Sequence, residues 1–395
     1  MPVQTKPIVE FMFFDAGGGH RAAATALKQI IENRSFNWDV RLVNLQLVLD
    51  EIDVFRKVTS IRLEDIYNLL LKNGLTLGTT EMLPVMHLIL KMNRRPQIKL
   101  LRKMWSETKP GMVVSLVPNF NYTMFQALKQ ASPGTPYVTI LTDIADYPPN
   151  FWIEKDQNQY FICGSAKAEQ QALSMGHPRD KVIRTSGMIL NPRFYDHVPV
   201  DRAEARKKLG LDPNMPTALV MFGGMGSFAM KKIQERLDAS SLDLQVIHIC
   251  GNNPKLLAAL KALQPGRLKT YLEGFTKEIP FYMNVADFMI GKPGPGSVSE
   301  AVAMGLPVIT ECNAWTLPQE RYNAEWIREN KIGEVVKNFR HIVPAVENML
   351  RPGCLANYRA NAAAIKNRAA FEIPEILETI LRCAPLQSPS PPPLP

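Results

Sequence analysis

Three times in this sequence a short apolar run ends in a cluster of glycines and passes straight into helix-forming sequence. Residues 8–14 lead to Gly17-Gly18-Gly19, residues 218–222 lead to Gly223-Gly224-Met225-Gly226, and residues 287–290 lead to Gly291-Lys292-Pro293-Gly294-Pro295-Gly296. A strand that feeds a helix through a tight turn returns to its own sheet as a parallel neighbour, which restricts the chain to crossover topologies. Further apolar runs at 40–45, 112–117, 137–142, 160–163 and 182–185 alternate with helical sequence in the first half. Runs at 246–250, 271–274 and 308–310 do so in the second. Alternation of this kind predicts α/β units with helices on both faces of a parallel sheet. Between the two series, residues 191–216 carry Pro192, Pro199, Pro213 and Pro216 and read as a connection.

A chain of 395 residues exceeds one ordinary core, so two doubly wound domains facing across a cleft are expected. The divisions are 1–198 for the first domain and 199–368 for the second. Residues 369–384 form a final helix, and 385–395 a proline-rich tail with too few apolar groups to pack. In such sheets ligands sit beyond the carboxyl ends of the strands, where all three glycine turns fall.

The formal net charge is +9, which suits an anionic partner. Eleven basic residues against four acidic ones between Arg56 and Lys109 place most of it in one segment of helical type, 61–105, interrupted near 74–80 and at Pro96. Lys91, Arg95, Lys99 and Arg102 make one stripe there if the helix survives Pro96. Ile98, Leu101 and Trp105 make an apolar face beside it, and Met82, Val85, Met86, Ile89 and Met92 another. A basic stripe next to an apolar face fits a helix lying on an anionic membrane, and equally a solvated face packed on its own domain. Nucleic acid is disfavoured because the segment lacks interleaved aromatics for base stacking. The five cysteines are scattered and form no Cys-x-x-Cys pair, so free thiols in a cytoplasmic setting are expected. No run of about twenty apolar residues is present to cross a bilayer. No Asp-x-Asp pair occurs and the six histidines make no ligand spacing, so no metal site is expected.

The glycine turns carry the chemistry. Gly294 and Gly296 let the backbone approach a ligand closely, Pro295 stiffens the turn, and Ser297 is expected to cap a helix with Glu300 in its first turn. Free N–H groups at such a helix start favour a phosphate, and Lys292 adds a formal charge. The same glycines could make ordinary tight turns, and Glu300 could merely offset the helix dipole. Gln319 and Asn323, four apart on one helix face, offer a donor and an acceptor each. His20 follows the first glycine cluster and titrates in the range of a general base, or it could cap the helix. Asp143 ends a strand at the same sheet edge, where it could orient His20, act as base itself, or cap a turn.

Three pieces then resemble a known family. Lys-Pro-Gly-Pro-Gly-Ser-Val-Ser-Glu-Ala from Lys292, with Gly305-Leu306-Pro307 and Pro318-Gln319-Glu320-Arg321-Tyr322-Asn323-Ala324, is similar to the nucleotide-sugar half of family 28 glycosyltransferases. The subgroup it resembles is that of monogalactosyldiacylglycerol synthases and bacterial diacylglycerol glucosyltransferases, with the lipid II-forming N-acetylglucosaminyltransferase more distant. Phe13-Phe14-Asp15-Ala16-Gly17-Gly18-Gly19-His20-Arg21 and Phe222-Gly223-Gly224-Met225-Gly226 resemble the family's two other glycine loops.

The resemblance implies a GT-B fold and a metal-independent, inverting transfer of galactose or glucose from a UDP-sugar to diacylglycerol or a related lipid. It implies no cofactor and a cytoplasmic enzyme peripherally attached to an anionic membrane. His20, with Asp143, becomes the catalytic group. Gly18, Gly19, Gly223, Gly224, Gly226, Lys292, Gly294, Pro295, Gly296 and Ser297 contact the donor. Phe275 meets the uracil, Glu300 the ribose diol, and Gln319, Glu320 and Asn323 the sugar. Lys91, Arg95, Lys99, Arg102, Trp105 and Trp152 fall to the membrane and acceptor. In the family a histidine and a tryptophan follow Thr-Asp; here Trp152 is present and the histidine is absent. A transferase with an isoprenoid-linked or soluble acceptor, and a non-catalytic basic binding protein on the same scaffold, are the alternatives.

Overall fold

The computed structural model describes residues 6–15, 18–52, 91–196 and 200–383. They form two six-stranded sheets in which every strand pairing is parallel. The first holds β1 (Ile8–Phe13), β2 (Asp39–Asn44), β3 (Met112–Ser115), β4 (Tyr137–Ile140), β5 (Tyr160–Cys163) and β6 (Val182–Arg184), in the order β2-β1-β3-β4-β5-β6. The second holds β7 (Thr217–Met221), β8 (Gln245–Ile249), β9 (Thr270–Glu273), β10 (Phe288–Ile290), β11 (Val308–Glu311) and β12 (Gly333–Val336), in the order β12-β11-β10-β7-β8-β9. Both orders reverse direction beside the first strand of the unit, between β1 and β3 and between β7 and β10. The crevice outside such a switch point is where this class of sheet binds ligands. The two doubly wound units expected from the sequence are therefore present.

The inner strands read as continuous apolar runs because both faces are covered. β3, β4, β7, β8 and β10 are buried along their whole length. On one side of the first sheet, Val9, Phe11, Val114, Val138 and Ile162 pack with Ala24, Leu27 and Ile31 of the helix Gly19–Asn33. On the other, Met12, Val113 and Tyr137 pack with Leu101 and Trp105. The second sheet has its own pair of cores. The chain crosses between units twice. Leu190 and Phe194 already belong to the second core, and the helix Ala369–Cys383 returns Ala369, Ile373, Leu377 and Ile380 to the first.

One strand was not legible. β12 is a half-buried edge strand reading Gly-Glu-Val-Val, with neither a long apolar run nor clean alternation. Gly333 starts it because a Cβ there would run into the Val308 carbonyl oxygen.

The basic segment departs from expectation more sharply. The helix Arg94–Thr108 tolerates Pro96 because that residue lies in its first turn, where no intrahelical N–H is required. Lys91 lies before this helix, so the stripe of four is broken; Arg95, Lys99 and Arg102 remain together and exposed. Trp105 does not face a membrane. It is completely buried, and its indole N–H donates to Glu10 Oε2 at 2.9 Å. The apolar face containing Leu101 and Trp105 covers the first sheet, so the packed-face reading holds for it. Met82, Val85, Met86 and Ile89 lie outside the described residues, as does Gly17. Among the described residues no helix is long and apolar enough to cross a membrane.

Candidate active site between the two sheets

On the first sheet, β1 runs into the helix Gly19–Asn33 through Gly18, whose φ of 79° is the left-handed conformation that favours glycine. A Cβ at Gly18 or Gly19 would meet nothing within 4 Å, so this turn borders open space. His20 in the first helical turn carries its ring across to β4. Its Nδ1 lies 3.0 Å from Thr142 Oγ1, and the Leu116 carbonyl also faces the ring. Burial lowers the His20 pKa to about 4, so the imidazole is neutral at ordinary pH, as a general base must be. Arg21 pairs with Asp15 at 3.0 Å, its guanidinium lying over the Phe13 ring.

Asp143 does not hold His20. Its Oδ2 accepts the Trp152 indole N–H at 2.8 Å, and no hydrogen bond joins it to the histidine among the described residues. Trp152 is fully buried rather than offered to a membrane. Its ring sits 5.9 Å from the His20 ring, tilted by 49°. Its backbone is pinned as well: the N–H donates to Asp146 Oδ1 at 2.6 Å, and the carbonyl accepts from Asn121 Nδ2 at 2.9 Å. Burial raises Asp143 to about 7, with the Trp152 bond opposing and the Glu320 charge adding to the rise. Thr142, Trp152 and Asn121 were not assigned these tasks from sequence. The Thr-Asp dipeptide at a strand end was the available signal.

The second sheet carries the other two glycine turns. The helix Pro295–Ala303 begins one residue after Gly294, so its N-cap is Gly294 and not Ser297. Pro295 has no N–H, and the N–H groups of Gly296 and Ser297 precede the first intrahelical bond, from Val298 to the Gly294 carbonyl at 3.0 Å. No side chain caps this end, and a Cβ at Gly296 would meet nothing within 4 Å. Two amide protons are thus left aimed out of a helix start, where an anion is favoured.

Glu300 follows in the second turn, not the first. The dipole effect fades within one turn, which removes dipole compensation as its reason for being there. Burial alone raises its pKa to about 7. Nothing recorded among the described residues donates a hydrogen bond to its carboxylate.

Gly223 and Gly226 of the second turn have φ of 70° and 59°. A Cβ at Gly226 would strike the carbonyl oxygen of Cys250, the residue after β8, so the backbone there approaches too closely for any other residue. A Cβ at Gly223 would lie 3.9 Å from Lys292 Cε, and one at Gly294 3.5 Å from it. Lys292 thus passes between the two glycine turns, and its Nζ lies 3.1 Å from Glu320 Oε1. Glu320 is buried and positions that cation.

Asn323 is also buried. Its Nδ2 donates to the Pro293 carbonyl at 2.7 Å, tying the helix Pro318–Glu329 to the glycine turn, while its Oδ1 has no partner. Gln319, on the same helix, is half-buried. Phe275 is 59% exposed in the loop after β9, which rules out the core role that residue type allows. Gly224 accepts the Asn252 N–H at 2.8 Å through its carbonyl.

The two halves face one another. Asp143 on the first sheet senses the charges of Lys292 and Glu320 on the second. The Tyr147 and Tyr322 rings meet across the gap with centroids 5.9 Å apart. A cavity of about 540 Å³ opens between the carboxyl edges, lined by Ile144, Lys167 and Met188 from one side and Ser299, Tyr322 and Trp326 from the other. Neither His20 nor Glu300 lines it, although Ser299 adjoins Glu300 in sequence. The five cysteines are unpaired, and no cluster of metal-ligating side chains occurs among the described residues.

The Glycosyltransferase family 28 C-terminal domain matches residues 219–379. Over 381 residues the chain is 28% identical to a probable monogalactosyldiacylglycerol synthase 3, chloroplastic, of Oryza sativa subsp. japonica, covering 92% of this chain and 73% of that one. Among solved structures, MurG of Acinetobacter baumannii superposes with a TM-score of 0.60 at 13% identity, over 95% of this chain and 99% of that one. UDP-GlcNAc 2-epimerase from Neisseria meningitidis bound to UDP-GlcNAc superposes with a TM-score of 0.59 at 16% identity, over 95% and 100%. At those identities the structures speak for the two-sheet fold alone. The glycine turns, the helix start between them and the sequence likeness over nearly the whole length agree: the chain belongs to the family 28 glycosyltransferases.

Proposed function

We propose that this protein moves a hexose, galactose or glucose, from a UDP-sugar to diacylglycerol or a related lipid hydroxyl, with inversion and without a divalent metal. The observation that carries the reading is the convergence of two glycine turns on Lys292, opposite a neutral His20. His20 takes the proton of the acceptor hydroxyl as that oxygen attacks the anomeric carbon. The bond to the UDP oxygen breaks on the far side, so the configuration inverts. Negative charge then gathers on the β-phosphate, where the Gly296 and Ser297 amides and Lys292 oppose it. Glu300 accepts hydrogen bonds from the ribose hydroxyls, and the exposed Phe275 meets the uracil. Gln319, half-buried on the helix Pro318–Glu329, is the side chain proposed to reach the sugar. The buried Asn323 keeps the turn in shape and offers the ligand its unpaired Oδ1.

For the membrane, attachment by charge is supported by Arg95, Lys99, Arg102 and Lys103, all exposed on one helix, with Met92 and Leu47 exposed nearby in sequence or packing. Each basic residue near an anionic surface contributes ~1 kcal/mol, enough together for reversible, salt-sensitive binding. The buried Trp105 favours the competing reading of a soluble or isoprenoid-linked acceptor, because one apolar membrane face is lost.

One experiment separates the readings. Purified protein is incubated with labelled UDP-galactose or UDP-glucose and vesicles containing diacylglycerol, in the presence of a chelator. Label in the organic extract that disappears in His20→Ala is the expected result. Label confined to water-soluble product rejects the lipid acceptor, and no transfer in any arm rejects the enzyme.

A further inference from the structure

In the second sheet β8 lies between β7 and β9. The loop that follows β8 therefore sits between the Gly223–Gly226 turn and the loop that carries Phe275, two strand spacings or about 10 Å apart. Residues 250–253 of this middle loop are bonded to both neighbours. Towards β9, the Cys250 N–H donates to the Glu273 carbonyl at 2.8 Å and the Gly251 N–H to the Gly274 carbonyl at 3.2 Å. Towards β7, the Asn252 N–H donates to the Gly224 carbonyl at 2.8 Å, and Asn253 Nδ2 to the Met225 carbonyl at 3.3 Å. The buried Asn253 amide has only one usable orientation. Its Oδ1 accepts the Leu256 N–H at 3.0 Å as the cap of the helix Pro254–Lys261, which leaves Nδ2 for the carbonyl. Gly251 lets the two backbones meet: its φ is 59°, and a Cβ there would stand 2.3 Å from the Gly224 carbonyl oxygen. The far side is anchored too. Gly274 N–H donates to Glu273 Oε1 at 2.9 Å, while Glu273 Oε2 accepts the Tyr282 hydroxyl at 2.8 Å and that of Tyr271 at 3.2 Å.

We propose that the loop 250–253 is a strut that sets the separation of the base and phosphate subsites, with Gly251 and Asn253 as its positioning residues. Its purpose rests on the UDP-sugar reading above; its bonds do not. Neither residue has to touch the nucleotide. A ligand that fills both subsites gains from their fixed spacing, because its second contact needs no further alignment. A fragment that fills one subsite gains nothing from the spacing. Loss of the strut therefore weakens the whole nucleotide and spares its parts, which separates alignment from damage to either turn.

The test compares UDP with its fragments. Dissociation constants for UDP, uridine and pyrophosphate are measured by ligand-observed NMR in wild type, Gly251→Ala and Asn253→Ser. Serine keeps an oxygen to cap the helix and loses the donor to the Met225 carbonyl. Gly251→Ala is expected to weaken UDP about tenfold or more and Asn253→Ser about threefold or more, while uridine and pyrophosphate each shift by less than about twofold. In the ligand-free proteins, amide hydrogen exchange is expected to quicken at residues 223–228 in both variants, and at 271–277 as well in Gly251→Ala. UDP affinity unchanged in both variants overturns the proposal, as does an equal loss for UDP and both fragments. Exchange at 223–228 that stays as in wild type overturns it too. Should wild type bind none of the three ligands, the nucleotide reading fails, and the exchange pattern alone decides whether the loop couples its neighbours. Should Gly251→Ala fail to fold, Asn253→Ser decides it.

Discussion

At the residue scale, Glu300 makes the sharpest prediction because its carboxylate is half-buried and makes no ion pair among the described residues. Its pKa, raised to about 7 by burial, means that the ionised form required by the ribose hydroxyls is scarce at pH 6 and dominant at pH 8. UDP affinity is therefore expected to rise about tenfold across that interval, and Glu300→Gln to remove that part of the slope. UDP's own phosphate titration supplies whatever slope persists in the variant. An identical slope in both proteins would exclude Glu300 from the nucleotide. The stability effect has the opposite sense. A carboxyl whose folded pKa is raised contributes stability that is complete below its unfolded pKa, near 4.5, and lost as pH rises through about 7. Glu300→Gln should therefore raise the apoprotein Tm more at pH 8 than at pH 5.

The same scale shows what the sequence could carry. Residue types that chemistry demands were legible: a histidine after glycines, a lysine among them, a glutamate in the following helix. Which atom meets which was not. Asp143 and Thr142 are adjacent, and only the folded backbone decides that the hydroxyl reaches His20 while the carboxylate reaches Trp152. Asn323 likewise read only as a side chain for sugar hydroxyls, whereas the fold also gives its Nδ2 the Pro293 carbonyl to hold. The Ser297 cap was displaced by Gly294 because Pro295 occupies the first helical position, which needs no N–H.

At the element scale, the glycine turns and the basic helix test separately. Gly226 combines a positive φ with the carbonyl of Cys250, just past the neighbouring strand, in the space a side chain would need. Gly226→Ala is expected to cost about 1–3 kcal/mol and to weaken UDP binding, measured by thermal unfolding and by titration. The helix Arg94–Thr108 divides its work between faces. Trp105→Ala should destabilise the fold by about 3–5 kcal/mol, because it empties a core site and strips Glu10 of its indole donor. A membrane-facing tryptophan would leave the Tm unchanged. Reversing Arg95, Lys99 and Arg102 to glutamate should leave the Tm within a few degrees while cutting binding to anionic vesicles more than tenfold at low salt. Sequence periodicity exposed the two faces of this helix but not which one the protein would claim. Packing on the first sheet settled it for Trp105. Strand recognition failed at β12 for a related reason: an edge strand with half-buried residues lacks the continuous apolar run that marks the inner strands.

At the scale of the whole molecule, neither sheet holds the proposed chemistry alone. The first supplies a neutral base and its supports, the second an open helix start, a lysine and a carboxylate, and Asp143 senses the charges on the opposite side. The central claim is that a UDP-sugar lies in the crevice between them, its phosphates held by backbone amides and Lys292. Titration calorimetry of UDP into the purified protein, with chelator present, addresses it most directly. The account predicts saturable heat at one site per chain, weakened by more than tenfold in Lys292→Ala and retained in His20→Ala. Absence of heat in wild type, or binding that appears only when a divalent cation is restored, would contradict it.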